Sequence, residues 1–157
     1  MHLLYVGRIA ERQKRFTEAV EIFETLSTRK KKFDVVGSPV PKVTAKVMEH
    51  PEIVFHGYKK DWSNLVLRNT ILIISSDYEG MPLALIEFVS HGGTYLLAKE
   101  SEWCGEDLYK KGTYKNVFEA VNKLESGNLA KLEKKDFQEY FSENRFKMEI
   151  TEMEKWL

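Results

Sequence analysis

Five short apolar runs alternate with segments of helical spacing, and this alternation restricts the chain more than any other feature. The runs are "HLLYVG" (2–7), "FDVVG" (33–37), "EIVFHG" (52–57), "TILIISS" (70–76) and "TYLLA" (94–98). Each has the length and the β-branched or aromatic content of a buried strand. Between the first two, Phe16, Ala19, Val20, Phe23 and Leu26 recur at the spacing of an amphipathic helix. "VTAKVMEH" and "DWSNLVLRN" read as short helices, the second with Asp61 as its N-cap. A further helix is expected from about 82 to 91, and "YKNVFEAVNKLES" gives another, closed by Gly127. "NLAKLEKKDFQEYF" and "SENRFKMEITEMEKWL" read as helices too. The last has Ser142 as its cap and a stripe of Phe146, Ile150, Met153 and Leu157. Strand and helix in alternation predict an α/β chain: a Rossmann-like, doubly wound, mainly parallel sheet with extra C-terminal helices.

The 157 residues suit one domain, taken as 1–157, and suffice for a core without disulfides. Lysine and arginine number 24 against 24 aspartates and glutamates, so the basic excess of a nucleic-acid binder is missing. Cys104 is the single cysteine, which excludes an internal disulfide and suits a reducing compartment. "MHLLYVG" has no basic region and too short an apolar run for a signal peptide. No segment approaches the roughly 20 apolar residues that span a bilayer. Entering a strand at once fits a naturally short domain or half of a larger protein. His2, His50, His56 and His91 show no ligand spacing with one another or with Cys104, so no metal is expected. Trp62 and Trp156 read as packing residues, and the lysine-rich 28–32 as a solvated connection.

In doubly wound sheets, ligands sit outside the carboxyl ends of the strands. The turns there carry the chemistry. Gly7 and Arg8 follow the first strand, with Lys14 close behind. Gly37 follows the second, where backbone can approach a ligand closely. Gly57 and Tyr58 follow the third. "DYEGMPL" follows the fourth: Gly80 permits an unusual turn, and Pro82 fits a first helical position. The amides near Gly80, Met81, Leu83 and Ala84 then form a helix N-terminus, an anion site. Two cations and a helix end suit a diphosphate. Glu79 and Glu87 in the same cleft suit hydroxyls, because ionised carboxylates only accept. Glu87 stands among apolar neighbours, which argues for a polar ligand rather than plain solvent. Phosphate and polyhydroxyl together suggest a nucleotide sugar.

Three segments, "YVGRIAERQKRF", "FHGYKKDWSNL" and "SSDYEGMPLALIEFVSHG", resemble the donor-binding C-terminal domain of retaining glycosyltransferases of the GT-B fold, in the large family 4 group. The last segment is similar to that family's E-x7-E motif, from Glu79 to Glu87. The variants "QKR" and "DYEGMP" most resemble bacterial lipopolysaccharide and capsule hexosyltransferases. The resemblance implies half of a GT-B fold and a hexose transferred with retained configuration from a nucleoside diphosphate, UDP-hexose being favoured. It implies catalytic roles for Arg8, Lys14 and Glu79. Arg8 and Lys14 hold the diphosphate, and Glu79 contacts the sugar. It implies donor contacts at Gly7, Gly37, Tyr58, Gly80, Met81, Leu83 and Glu87, with Glu87 accepting from the ribose. No metal or other cofactor is implied.

The resemblance also implies an absent N-terminal domain that binds a glycan or lipid-linked acceptor, and a cytoplasmic place at the inner membrane face. Peripheral membrane contact through the lysine-rich stretches belongs to the same expectation, with solvated surface the plainer reading. The family's Asn-Gly and strand after the fifth strand are expected to be absent or shortened, "SEWCGEDLYKKGTY" standing in the place of its usual loop. The alternative to an enzyme half is a non-catalytic nucleotide-sugar-binding module that pairs with another subunit. A flavodoxin-like or receiver-type domain would want acidic residues after the first strand, where Arg8 stands.

Overall fold

Burial of the apolar runs on both faces is what makes a parallel sheet, and all five runs become strands. The computed structural model describes residues 1–38, 50–79, 82–100, 112–135 and 138. Its elements are β1 (His2–Val6), α1 (Phe16–Thr25), β2 (Lys32–Val36), β3 (Ile53–Gly57), a 3-10 turn (Ser63–Leu65), β4 (Thr70–Ile74), α2 (Leu83–Ser90), β5 (Tyr95–Lys99), β6 (Thr113–Tyr114), α3 (Val117–Ser126) and β7 (Ala130–Lys131). The sheet runs β3-β2-β1-β4-β5, all parallel. The outer edge of β5 is shared end to end. β6 pairs parallel with Ala98 and Lys99, and β7 pairs antiparallel with Tyr95 and Leu96. Strand order reverses between β1 and β4, and this is the switch point at which such sheets open a crevice.

Alternation along β1 sends Leu3 and Tyr5 to one face and Leu4 to the other. On the first face, α1 and α3 pack over Phe33, Val35, Ile71, Ile73 and Leu97. Phe16 and Phe23 of α1 are fully buried there, each contributing about 2 kcal/mol of hydrophobic stabilisation. On the second face, α2 lays Leu85, Phe88 and Val89 against Leu72, Ile74 and Leu96, and Trp62 seals the same layer. No described helix is long and apolar enough to cross a membrane.

The helix ends are held by side chains that the sequence hides to different degrees. The α1 N-cap is Arg15 at φ 48°, with no cap bond from its own side chain. Glu11 serves instead, its carboxylate accepting from the Thr17 amide (2.7 Å) and the Thr17 hydroxyl. At the other end, the Lys31 ammonium donates to the carbonyls of Phe23 (2.8 Å) and Leu26 (2.9 Å). Part of the expected solvated lysine run is therefore a helix cap, because a C-terminus leaves carbonyls without donors. α3 ends at Gly127 as the sequence predicts, in the left-handed region (φ 71°). Its start is an asparagine cap: Asn116 Oδ1 accepts from the Glu119 amide at 3.0 Å, and Glu119 accepts from the Lys115 amide at 3.0 Å. Asn116→Ala should cost about 1 kcal/mol, measured as a lower urea midpoint with an unchanged slope.

Two expected helices are different objects. "DWSNL" makes one 3-10 turn, with Asp61 Oδ1 accepting from the Ser63 amide (3.1 Å) and hydroxyl (2.6 Å). The predicted cap chemistry is there, but the chain must turn at once into β4, and Thr70 Oγ1 already takes the Leu67 amide at 2.8 Å. "NLAK" is strand at Ala130–Lys131, because the edge of β5 offers unpaired backbone that a helix could not satisfy. The helices read at "VTAKVMEH" and over 142–157 fall almost entirely outside the described residues. Of the two expectations for the strand after β5, absent or shortened, the described residues show a short one, the two-residue β6.

Candidate active site

The carboxyl ends of β1, β2, β3 and β4 converge on one cleft. It consists of two adjoining cavities that share Val6, Gly7 and Arg8. The larger, about 490 Å³, is walled by Gly37 and Ser38 after β2, by Tyr58, Lys59 and Lys60 after β3, and by Trp62 and Glu87. The smaller, about 270 Å³, is walled by Tyr5, Lys14, Ser76 and Glu79 and by the start of α2 at Pro82, Leu83 and Ala84.

The sequence-predicted residues divide between the two. Lys14, Glu79 and Leu83 line the smaller cavity; Gly37, Tyr58 and Glu87 line the larger; Gly7 and Arg8 belong to both. The two glutamates therefore face different halves of the cleft rather than one shared spot. Gly80 and Met81 lie outside the described residues. Gly37 is glycine for a reason other than a ligand: a Cβ there would meet the Gly7 carbonyl oxygen at 1.9 Å. Tyr58 stands at the rim, 80% exposed.

In the smaller cavity, Lys14 and Glu79 form a close ion pair, and the Ser76 hydroxyl donates to the same Glu79 oxygen at 2.6 Å. Glu79 is mostly buried there, so an incoming anion would compete with it for Lys14. Arg8 is exposed, its Nη2 donating to Gln13 Oε1 at 3.2 Å. The amides of Leu83 and Ala84, the first two of α2, have no acceptor among the described residues. Tyr5 is held as a phenol well above its ordinary pKa, chiefly by burial and then by Glu79, and its hydroxyl donates to the Arg8 carbonyl at 2.8 Å. In the larger cavity, the buried Trp62 donates its indole N–H to Glu87 Oε2 at 3.2 Å. Glu87 is otherwise exposed to the cavity, with acceptor capacity left over.

Two residues escaped the sequence reading. Trp62 is a core residue that also aims Glu87, a link across 25 positions that no local pattern announces. Gln13 fastens the connection after β1 to the turn after β4. Its carbonyl accepts from the Asp77 amide (2.9 Å), and its side chain donates to the Tyr78 carbonyl (3.1 Å). Ser75 Oγ adds a bond to the Lys14 carbonyl at 2.7 Å. In the sequence Gln13 stands only as the first letter of "QKR", and nothing there gives it a contact or a role.

Comparison with known proteins gives the setting. The lipopolysaccharide outer core galactosyltransferase WaaB, in its apo form, superposes with a TM-score of 0.65 at 18% identity, over 82% of this chain and 41% of that one. HepE (Alr3699) of Anabaena, solved in complex with UDP and glucose, superposes with a TM-score of 0.62 at 12% identity, over 80% of this chain and 38% of that one. At these identities the likeness is one of fold, that of a Rossmann-like half of a GT-B enzyme. The chain spans about two fifths of either structure's length. No curated protein matches the sequence. The profile of the family described as "Glycosyl transferases group 1" matches residues 1–102, the span that holds every described residue of both cavities. The chain belongs to the glycosyl transferases group 1 family.

Proposed function

We propose that this chain is the donor-nucleotide-sugar-binding half of a retaining hexosyltransferase of the family 4 type. The carrying observation is the paired cavity: one half offers Lys14, Glu79 and the α2 N-terminus, and the other offers an oriented Glu87. A nucleoside fits the larger cavity, with Glu87 accepting from the ribose hydroxyls. The diphosphate lies at the junction, against Arg8, Lys14 and the α2 amides. The sugar reaches Glu79. As the bond from the anomeric carbon to the phosphate oxygen breaks, negative charge gathers on the leaving diphosphate, where Arg8 and Lys14 already stand. The cations and the helix end supply this neutralisation, and no metal is required by the scheme.

UDP-hexose is the proposed donor, an assignment supported by the UDP and glucose bound to HepE. The acceptor, a bacterial surface glycan or a lipid-linked one, is met through a second domain. The protein then works in the cytoplasm, at the inner face of the membrane. Residues 1–157 act as one donor domain, and transfer needs the acceptor domain.

Calorimetric titration with UDP, GDP, UDP-glucose and UDP-galactose tests the reading. Uridine nucleotides should bind, and Glu87→Ala should weaken them by about tenfold to a hundredfold, the cost of losing a charged acceptor, while lowering the melting temperature only slightly through the lost Trp62 hydrogen bond. Absence of binding by every nucleoside diphosphate would sink the proposal. Intact nucleotide binding without hexose transfer, on addition of an acceptor domain in trans, would make the chain a non-catalytic partner module instead.

A further inference from the structure

Beneath the turn that carries Glu79, four charges close into a ring. Lys99, the last residue of β5, donates to Glu18 Oε2 at 2.7 Å and to Asp77 Oδ1 at 3.2 Å. Arg15 approaches the same two carboxylates from the other side, at 3.5 Å to Glu18 and 3.9 Å to Asp77. Lys99 and Glu18 are largely buried, while Arg15 and Asp77 are about half exposed. Tyr114 of β6 lies against the ring. Its hydroxyl and Glu18 Oε1 are buried, and neither completes a well-formed hydrogen bond to a described residue.

The ring joins the start of α1, the turn after β4 and the end of β5, and two of these segments carry donor residues. Arg15 follows Lys14 directly, and Asp77 precedes Glu79 by two residues. Arg15 also holds a left-handed backbone (φ 48°), the only non-glycine among the described residues to do so. That conformation is costly for arginine and persists only where its surroundings determine it. Lys14 and Glu79 meet in an ion pair whose geometry depends on these two flanking segments.

We propose that Lys99 is a positioning residue for the donor site. By bridging Glu18 and Asp77 it fixes the turn that presents Glu79, so that Glu79 keeps its place when a diphosphate draws Lys14 away. This rests on the donor-site reading above. Without the ammonium, Glu18 and Asp77 face each other with Arg15 alone between them. The like charges push the turn outward, and Glu79 follows. The nucleoside end of the cleft, built on β1, β2 and β3, is untouched.

The test compares UDP with UDP-glucose. Lys99→Met should leave UDP affinity within about twofold and weaken UDP-glucose about tenfold, since small misplacements are costly where hydroxyls are read. Lys99→Arg, which can bridge both carboxylates, should restore it. In a Glu79→Gln background, Lys99→Met should add almost nothing, because both changes act through one group. Without any ligand, amide exchange at 76–79 should quicken in Lys99→Met while β1 and β4 keep wild-type protection. Equal loss of UDP and UDP-glucose, additive losses with Glu79→Gln, or unchanged exchange at 76–79 would each overturn the proposal. A wild type that binds no nucleoside diphosphate would overturn the donor reading alone, and the exchange measurement would still decide whether Lys99 holds the turn.

Discussion

Gly37→Ala is expected to destabilise this protein by about 4 kcal/mol, the range reserved for changes that the core cannot absorb. The added methyl would sit 1.9 Å from the Gly7 carbonyl oxygen and 3.0 Å from its carbon. Neither side can yield. The Gly7 amide donates to the Val36 carbonyl, and the Gly37 amide to the Gly57 carbonyl, both at 2.9 Å. The carboxyl ends of β1, β2 and β3 are thus laced together across the very place where the methyl must go. Gly127→Ala is the matched control. Nothing lies within 4 Å of a Cβ there, and the loss is only the left-handed conformation, about 1 kcal/mol. Urea unfolding followed by far-ultraviolet circular dichroism reads both variants. Equal losses at the two positions would show that close approach is not what position 37 requires. Because Gly7 and Gly37 also wall the larger cavity, any folded remnant of Gly37→Ala should bind UDP poorly.

The same pair shows where sequence reasoning succeeds and where it stops. A glycine at the end of a buried run marks the mouth of a doubly wound sheet, so Gly7, Gly37 and Gly57 located the cleft. The rule that parallel strands open ligand sites at their carboxyl ends did the rest. Why position 37 is glycine was not legible, because its neighbour is 30 positions away and is set by the register of β1 on β2. Trp62 with Glu87, and Lys99 with Glu18 and Asp77, were hidden for the same reason. Trp62 alone reads as a packing aromatic and Glu87 as a carboxylate for a polar ligand, Lys99, Glu18 and Asp77 carry no reading at all, and only the crossing of elements joins them. β7 failed differently. Its local preference is helical, and an open strand edge overrode it.

Asp34 should prove the most consequential charge in the fold. It lies in β2 with a side chain only 1% exposed, and three cationic or ring donors converge on it. His2 Nε2 donates to Oδ2 at 2.6 Å, His56 Nε2 to Oδ1 at 2.7 Å, and the Lys32 ammonium to Oδ2 at 2.8 Å. A carboxylate only accepts, so both rings carry their proton on Nε2 when they donate to it. His2 Nδ1 then meets Thr70 Oγ1 at 2.8 Å, which ties β1, β2, β3 and the entry to β4 into one polar cluster. Burial alone would raise the Asp34 pKa. The hydrogen bonds from His56, Lys32 and His2 outweigh it and hold the group below the ordinary aspartate value. Asp34→Ala removes the acceptor from three donors and should cost about 3 kcal/mol at pH 7, the low end for a broken buried pair because Lys32 is half exposed and can turn to water. The sign of the pH dependence follows from the depressed folded value. Its stabilisation is present in full above the unfolded aspartate pKa of about 3.9 and is lost as the pH falls through the lower, folded one. Urea titrations of wild type and Asp34→Ala should therefore run parallel from pH 7 to pH 5 as far as Asp34 is concerned. They should converge only in more acid solution. A gap that closed well above pH 5 would show that the ionised Asp34 carboxylate is not what holds this cluster.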